Sequence, residues 1–396
     1  MDLRFTAAEE SFRAEARAWL AANVPTKENG RGPLPSLDTA EGFEAHREWE
    51  GQMAAARWSV VSWPEEFGGR NVGLMEWLIF EEEYYRAGAP TRVSQNGIFL
   101  LAPTLFEFGT ATQQARYLPA MASGTEIWCQ GWSEPDAGSD LAALRSRATR
   151  RTGGDGKGTW VLNGQKTWCS RGAFADWLFG LFRTDPEADR HRGLTYFLVP
   201  MDAEGVTVRP IAQLDGETGF AEVFFEDVVV GDDQVLGAVG EGWSVAMATA
   251  GSERGLSLRS PARYTEAGAR LVALYRQRAA TDAEGAGRWA DAVARAVIDA
   301  EAYRLHTYWT ATRVAGGGRV GAEASMNKVF WSETDLALHE TAMGLLGEEG
   351  LLLDDDGRPT SWADGFLFAL AGPIYAGTNE IQRNVVAERV LGLPRR

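Results

Sequence analysis

With 396 residues, 45% of them hydrophobic and 24% charged, the chain can bury more than one core, and length alone suggests roughly two to three domains. A net charge of -16 and a pI near 4.9 argue against a nucleic-acid partner, which needs a basic surface, yet leave room for a phosphorylated ligand held by a few local donors. No apolar run reaches the roughly 18 residues that a membrane-spanning helix needs, so no membrane span is expected.

Residues 1 to about 125 read as helices. Thr6 and Glu9 form a capping-box signature, Phe12, Ala16, Trp19 and Leu20 follow at helical spacing, and Pro25 lies just beyond the end. The opening MDLRFTAAEESF has no apolar core of a signal peptide. Further helices are expected over about 41–57 and from Leu74 to Ala87, with Trp63–Gly69 as a loop between them. Ile98 to Phe108 suggests a buried helix, and Thr110 with Gln113 caps another that runs to about Met121.

From about 126 to 240 the period shortens. Ile127–Trp132, Thr159–Leu162, Thr167–Cys169, Trp177–Phe182, Leu194–Val199, Val206–Ile211 and Phe220–Val230 are short, rich in aromatic and branched residues, and separated by turns. Asn163-Gly164 predicts a hairpin between two of them. Arg150–Lys157 and Thr184–Arg192 read as exposed hairpin tips. Strands with no helices between them predict an antiparallel sandwich or barrel. After Gly242 the helical period returns, over Trp243 to about Arg276, about 285–315, Ala322–Leu346 and Asn379–Leu391, with a break at Gly316-Gly317-Gly318. The expected architecture is α+β: a helical domain at 1–125, an antiparallel β domain at 126–240 and a helical bundle at 241–396.

Three segments carry chemistry. Ser133–Asp140 (SEPDAGSD) has no regular period, and its small and hydroxyl residues can expose backbone N–H groups to a polar ligand. Taken alone, it reads as a solvated connector with an Asx-turn. Trp168-Cys169-Ser170 ends a strand, and Trp168 alone reads as a core residue. Gly377-Thr378-Asn379-Glu380 opens a helix with Thr378 as N-cap, a place where anions and dipoles bind. The four histidines have no metal-ligand spacing, and no phosphate loop or Ser/His/Asp arrangement is present, so no metal is expected. Cys129 and Cys169 lie in apolar surroundings and read as reduced, which suits a cytoplasmic protein.

Taken together and in this order, Trp128–Asp140, Gly164–Ser170 and Tyr375–Arg383 resemble the acyl-CoA dehydrogenase family of flavoproteins. The resemblance covers nearly the whole chain and implies a middle β-barrel, a C-terminal four-helix bundle and FAD at a subunit interface. It implies that Gln130, Trp132, Ser133, Ser139, Trp168, Ser170, Thr378 and Glu380 bind the cofactor. Ser139, Arg254, Ala376 and Gly377 would place the CoA thioester. Ser133 stands where the family usually has Thr and keeps the hydroxyl.

The main departure is Ala376. Many family members carry there the glutamate that removes the substrate α-proton, and alanine has no titratable group. A subset places the base on the first long helix of the C-terminal domain, just before an Arg, and this chain has Glu253-Arg254 there. Ala246, Ala250 and Glu253 share one helical face, so the carboxylate falls on an apolar stripe and its pKa should rise, as suits a base for a weakly acidic C–H. A structural ion pair with Arg254 or another Arg is the plainer alternative. The N–H of Ala376 survives the substitution, and the resemblance implies that it donates to the thioester carbonyl, an interaction commonly worth ~3 kcal/mol in the transition state.

Residues 262–290 lack the family's Arg-x-x-Phe-Gly, and Gly344–Gly350 replaces its Gln-x-x-Gly-Gly, two segments that hold the flavin across a subunit boundary. In this the chain resembles the heteromeric, steroid-type members of actinobacteria, in which two different chains form an α2β2 assembly. The implied activity is FAD-dependent α,β-dehydrogenation of an acyl-CoA, with a branched or bulky acyl group. Glu253 would be the base and an electron-transfer flavoprotein the acceptor, in a homo- or hetero-tetramer. The alternatives are a non-catalytic partner subunit and a flavin oxidase or monooxygenase on the same fold.

Overall fold

The computed structural model describes residues 4–26, 32–152, 158–214, 216–253, 260–318, 320–353 and 359–394. The elements in chain order are α1 (Ala7–Asn23), α2 (Ala40–Ala55), α3 (Leu74–Arg86), α4 (Ala102–Phe108), α5 (Ala111–Ala122), β1 (Trp128–Gly131), β2 (Arg147–Thr152), β3 (Gly158–Ser170), β4 (Trp177–Arg183), β5 (Leu194–Pro200), β6 (Val206–Ile211), β7 (Phe220–Gly231) and β8 (Val235–Leu236). There follow α6 (Gly242–Glu253), α7 (Pro261–Thr281), α8 (Ala283–Gly287), α9 (Ala290–Ala315), α10 (Ala324–Leu346), α11 (Ser361–Ala369) and α12 (Asn379–Val385).

The chain divides into two compact units. One comprises Met1–Val24, Gly73–Ala89 and Arg254–Arg396, and the other Pro25–Val72 and Pro90–Glu253. The first unit is helical. Tyr264, Leu271, Ala296, Tyr303, Trp331 and Leu338 from α7, α9 and α10 form its apolar core. Arg13 of α1 reaches Glu82 and Glu83 of α3 at 2.8 and 3.0 Å, and Arg304 of α9 reaches Glu82 at 3.4 Å. A charge network therefore links three helices whose apolar stripes already pack.

The second unit is built on a sheet of order β6-β7-β3-β2-β4-β5-β8, with β1 paired to β4. Most neighbours are antiparallel, but β1 and β2 run parallel to β4. β5 is buried at six successive positions, Leu194–Val199, as a strand covered on both faces must be. Leu162, Phe182, Phe197, Val223 and Phe225 form the core of one face.

Three expectations change. Asn163-Gly164 is not a hairpin: β3 runs straight through it, with a bulge between Leu162 and Gly164. Gly164 has φ +145°, and a Cβ there would lie 2.2 Å from Ser146 Oγ, so the glycine serves a bulge and a close approach rather than a turn. The helix expected from Trp243 to about Arg276 is two helices, because Ser260 caps and Pro261 opens α7. Arg150–Thr152, expected in a hairpin tip, belongs to β2 and pairs with β3, while 153–157 lie outside the described residues. Both cysteines are unpaired thiols buried in the sheet, and burial pushes the Cys169 thiol up to about 12.

Candidate active-site elements

In the sheet unit, β1 delivers Gln130 and Trp132 to the edge of a built loop. Trp128 stacks on Trp177 with ring centroids 5.3 Å apart, and Gln130 lies opposite Phe179 in the parallel register. A Cβ on Gly131 would come within 2.6 Å of the buried Leu178 side chain, which would have to shift to admit it. Glu134 and Ala137 then exchange backbone hydrogen bonds of 3.0 Å, which folds Ser133–Asp140 into a tight turn.

That turn is clamped from beneath. Glu134 Oε1 accepts from the fully buried Lys166 Nζ at 2.7 Å and from the Ser146 N–H at 2.9 Å, and Oε2 accepts from the Arg145 N–H at 2.6 Å. Burial alone would raise the Glu134 carboxyl, but the Lys166 charge and these donors outweigh it and hold it below the ordinary carboxylate range. Burial lowers the Lys166 ammonium despite its partner. The Thr167 N–H donates to Ser133 O at 2.9 Å, tying the turn to β3. The expected connector is thus a braced element.

One residue on, the β3–β7 pairing bulges between Lys166 and Cys169. Trp168 sits there at φ +58° and is 58% exposed, between buried Thr167 and Cys169. A left-handed backbone is strained for a tryptophan, by about 1 kcal/mol or more, and its effect is to turn the indole out of the core. The plain core reading of Trp168 does not hold. Ser170, half-buried, follows, and its carbonyl accepts from Asn96 Nδ2 at 3.2 Å. Gln130, Trp132, Ser133, Trp168 and Ser170 therefore lie on adjoining strand ends. Ser139 is exposed farther along the turn, and its neighbour Asp140 pairs with Arg190. The Trp132 indole N–H is buried and has no hydrogen-bond partner among the described residues. An outward-turned indole, two hydroxyls and a spare N–H fit a flat, hydrogen-bonding ring such as a flavin.

In the same unit, α6 buries Val245, Ala246, Thr249 and Ala250. Thr249 Oγ1 lies 2.8 Å from Thr104 Oγ1 and 3.3 Å from the Tyr196 hydroxyl, so the buried face is partly polar. The helix extends through Glu253. The Glu253 side chain and all of Arg254 lie outside the described residues.

In the helical unit, Ala376 and Gly377 take two successive left-handed conformations, φ +57° and +76°. Thr378 then caps α12, its hydroxyl accepting from the Ile381 N–H at 3.2 Å. Gln382, fully buried, reaches back and donates from Nε2 to the carbonyls of Ala376 at 2.9 Å and Gly377 at 3.3 Å. Buried Asn379 accepts from Lys328 Nζ at 2.8 Å and from Ser332 at 3.1 Å. Glu380 is exposed, and its carboxyl is lowered by its own N–H and the Thr378 hydroxyl at the helix start. The braces Glu134, Lys166, Asn96, Gln382 and Lys328 were not read from the sequence. The signal for three of them, Glu134, Lys166 and Gln382, was a polar residue inside a candidate motif with no surface role to play.

The chain belongs to the acyl-CoA dehydrogenase family. Models of the family's N-terminal, middle and C-terminal domains match residues 6–125, 129–228 and 240–391. It is an acyl-CoA dehydrogenase with helical N- and C-terminal domains and a sheet middle domain, and FAD is its cofactor. Among curated relatives it is 43% identical to the acyl-CoA dehydrogenase IpdE1 of Mycobacterium tuberculosis over 389 residues, 98% of each chain. Among solved structures it resembles the Tcur3481-Tcur3483 steroid ACAD, at 30% identity and TM-score 0.82, and the ChsE4-ChsE5 complex from M. tuberculosis, at 30% and 0.80, each covering 100% of both chains. No described helix is long and apolar enough to cross a membrane.

Proposed function

We propose that this chain carries out α,β-dehydrogenation of a CoA thioester with a branched or bulky acyl group, with Glu253 as the base. The observation that carries this reading is an alanine at 376 combined with a glutamate in the last turn of α6, three and seven positions after the buried Ala250 and Ala246. Glu253 takes the α-proton, and a place on the same helical stripe as Ala246 and Ala250 would favour a carboxylate basic enough for the task. The Ala376 N–H donates to the thioester carbonyl and stabilises the negative charge that deprotonation places on its oxygen. Ser139, Arg254 and Gly377 help hold the CoA thioester. Gln130, Trp132, Ser133, Ser139, Trp168, Ser170, Thr378 and Glu380 hold the cofactor. FAD, when bound, supplies the two-electron acceptor for the β-hydrogen, and an electron-transfer flavoprotein removes the electrons afterwards.

Two similar structures support a bulky acyl group and a paired assembly: one is the Tcur3481-Tcur3483 steroid ACAD, and the other is the ChsE4-ChsE5 complex. They also favour a second reading, in which this chain lends surface to a site that another chain completes. The test is an anaerobic titration with a panel of acyl-CoAs, wild type beside Glu253→Gln. Bleaching of the flavin band in wild type, slowed roughly 10²–10⁴-fold in the variant, supports Glu253 as base. Equal bleaching in both would overturn it and favour the second reading. Rapid reoxidation by oxygen would favour an oxidase or monooxygenase.

A further inference from the structure

We infer that Gln382 is a positioning residue for the Ala376 amide, the donor that the proposed function aims at the thioester carbonyl. The inference rests on that reading. Ala376 and Gly377 are both left-handed, at φ +57° and +76°, and a left-handed alanine carries strain of about 1 kcal/mol or more. A segment strained in this way keeps its shape only if its surroundings over-determine it.

Gln382 provides that restraint. Its side chain is 0% exposed, and its single carboxamide nitrogen donates to both carbonyls of the turn, at 2.9 and 3.3 Å. The first carbonyl lies in the Ala376–Gly377 peptide plane and the second in the Gly377–Thr378 plane, so the strap holds the C-terminal side of Ala376 in place, and the plane that carries the Ala376 N–H is joined to it through the left-handed Ala376 Cα, at φ +57°. No backbone acceptor for that N–H is found among the described residues. The Gln382 Oε1 atom is buried without a partner among those residues, so the side chain is held by what its nitrogen does and not by a mutual amide pair. The next residues are fixed separately, by Asn379 on Lys328 and Ser332 and by the Asn379 N–H on Pro373 O at 2.8 Å. Loss of the Gln382 donor should therefore free the turn while leaving the start of α12 in place.

Acetoacetyl-CoA tests this on the flavin-loaded enzyme in its native assembly. Its enolate carries charge on the oxygen that the Ala376 N–H would bind, and its absorbance can be titrated with pH. In wild type the bound probe should enolise at lower pH than in water. In Gln382→Met, which keeps the volume and removes the donor, the midpoint should rise by about one pH unit, a tenfold loss of enolate stabilisation. Flavin reduction should slow by up to about tenfold, with probe affinity changed by less than about threefold. Gln382→Glu, whose carboxylate repels both carbonyls, should shift the midpoint in the same direction and serves if the Met variant fails to fold. A folded variant with a wild-type midpoint, even at lowered Tm, shows a merely structural glutamine and overturns the inference. If wild type itself does not favour the enolate, the assignment of the Ala376 N–H fails, and the inference fails with it.

Discussion

At the scale of single residues, the most consequential pair is Glu134 and Lys166, both buried and 2.7 Å apart beneath the Ser133 turn. Lys166→Met should destabilise the chain by about 3–5 kcal/mol, read as a lowered urea midpoint, because it leaves a buried carboxylate without its counter-charge. Pairing it with Glu134→Gln should recover part of that loss. The Glu134 carboxyl is held below its unfolded value, so the unfolded chain binds the proton first as pH falls. Its contribution is complete above the ordinary carboxylate range and is lost as pH drops through the folded value. The Tm difference between wild type and Glu134→Gln should therefore be constant near neutrality and shrink at acid pH. A difference that grows with acid would contradict the sign. The sequence showed Glu134 only as a letter in a motif, since its partner lies 32 positions away. Trp168 was legible as a site residue, but its outward orientation depends on a bulge that no periodicity records.

At the scale of elements, β3 is the clearest lesson. Asn-Gly between two apolar runs usually turns a hairpin, yet here β7 pairs on both sides of it and keeps the chain extended. Gly164→Ala should cost at least about 1–3 kcal/mol, because its Cβ would meet Ser146 Oγ at 2.2 Å and its φ of +145° suits glycine. Thermal unfolding checks this, and a neutral substitution would mean that the bulge relaxes freely. The cap of α12 was legible, since Thr378 stands before a helical run. Thr378→Ala should lower stability by roughly 1 kcal/mol, measured by the same melt. The split between α6 and α7 was missed because the apolar period continues across it, although Pro261 marks a helix start.

At the scale of the whole molecule, the absent trans-flavin segments and the two-chain neighbours bear on assembly. The chain purified alone should hold substoichiometric flavin, and co-expression with a second acyl-CoA dehydrogenase chain should raise both flavin content and mass. Absorbance and light scattering measure the two. A stable homo-oligomer with one FAD per subunit would rule the heteromer out. The order helices, sheet, helices and the three motifs that mark the family were determined by sequence alone, because period and turn chemistry are local. What the tertiary structure decided is which helices belong together. α1 and α3 join the C-terminal helices, while α2, α4 and α5 join the sheet. An apolar stripe records that a face is buried, but not which distant segment covers it. The same holds for the clamp on Ser133 and the strap on Ala376: each is a hydrogen bond whose worth depends on burial, and burial exists only once the chain has folded.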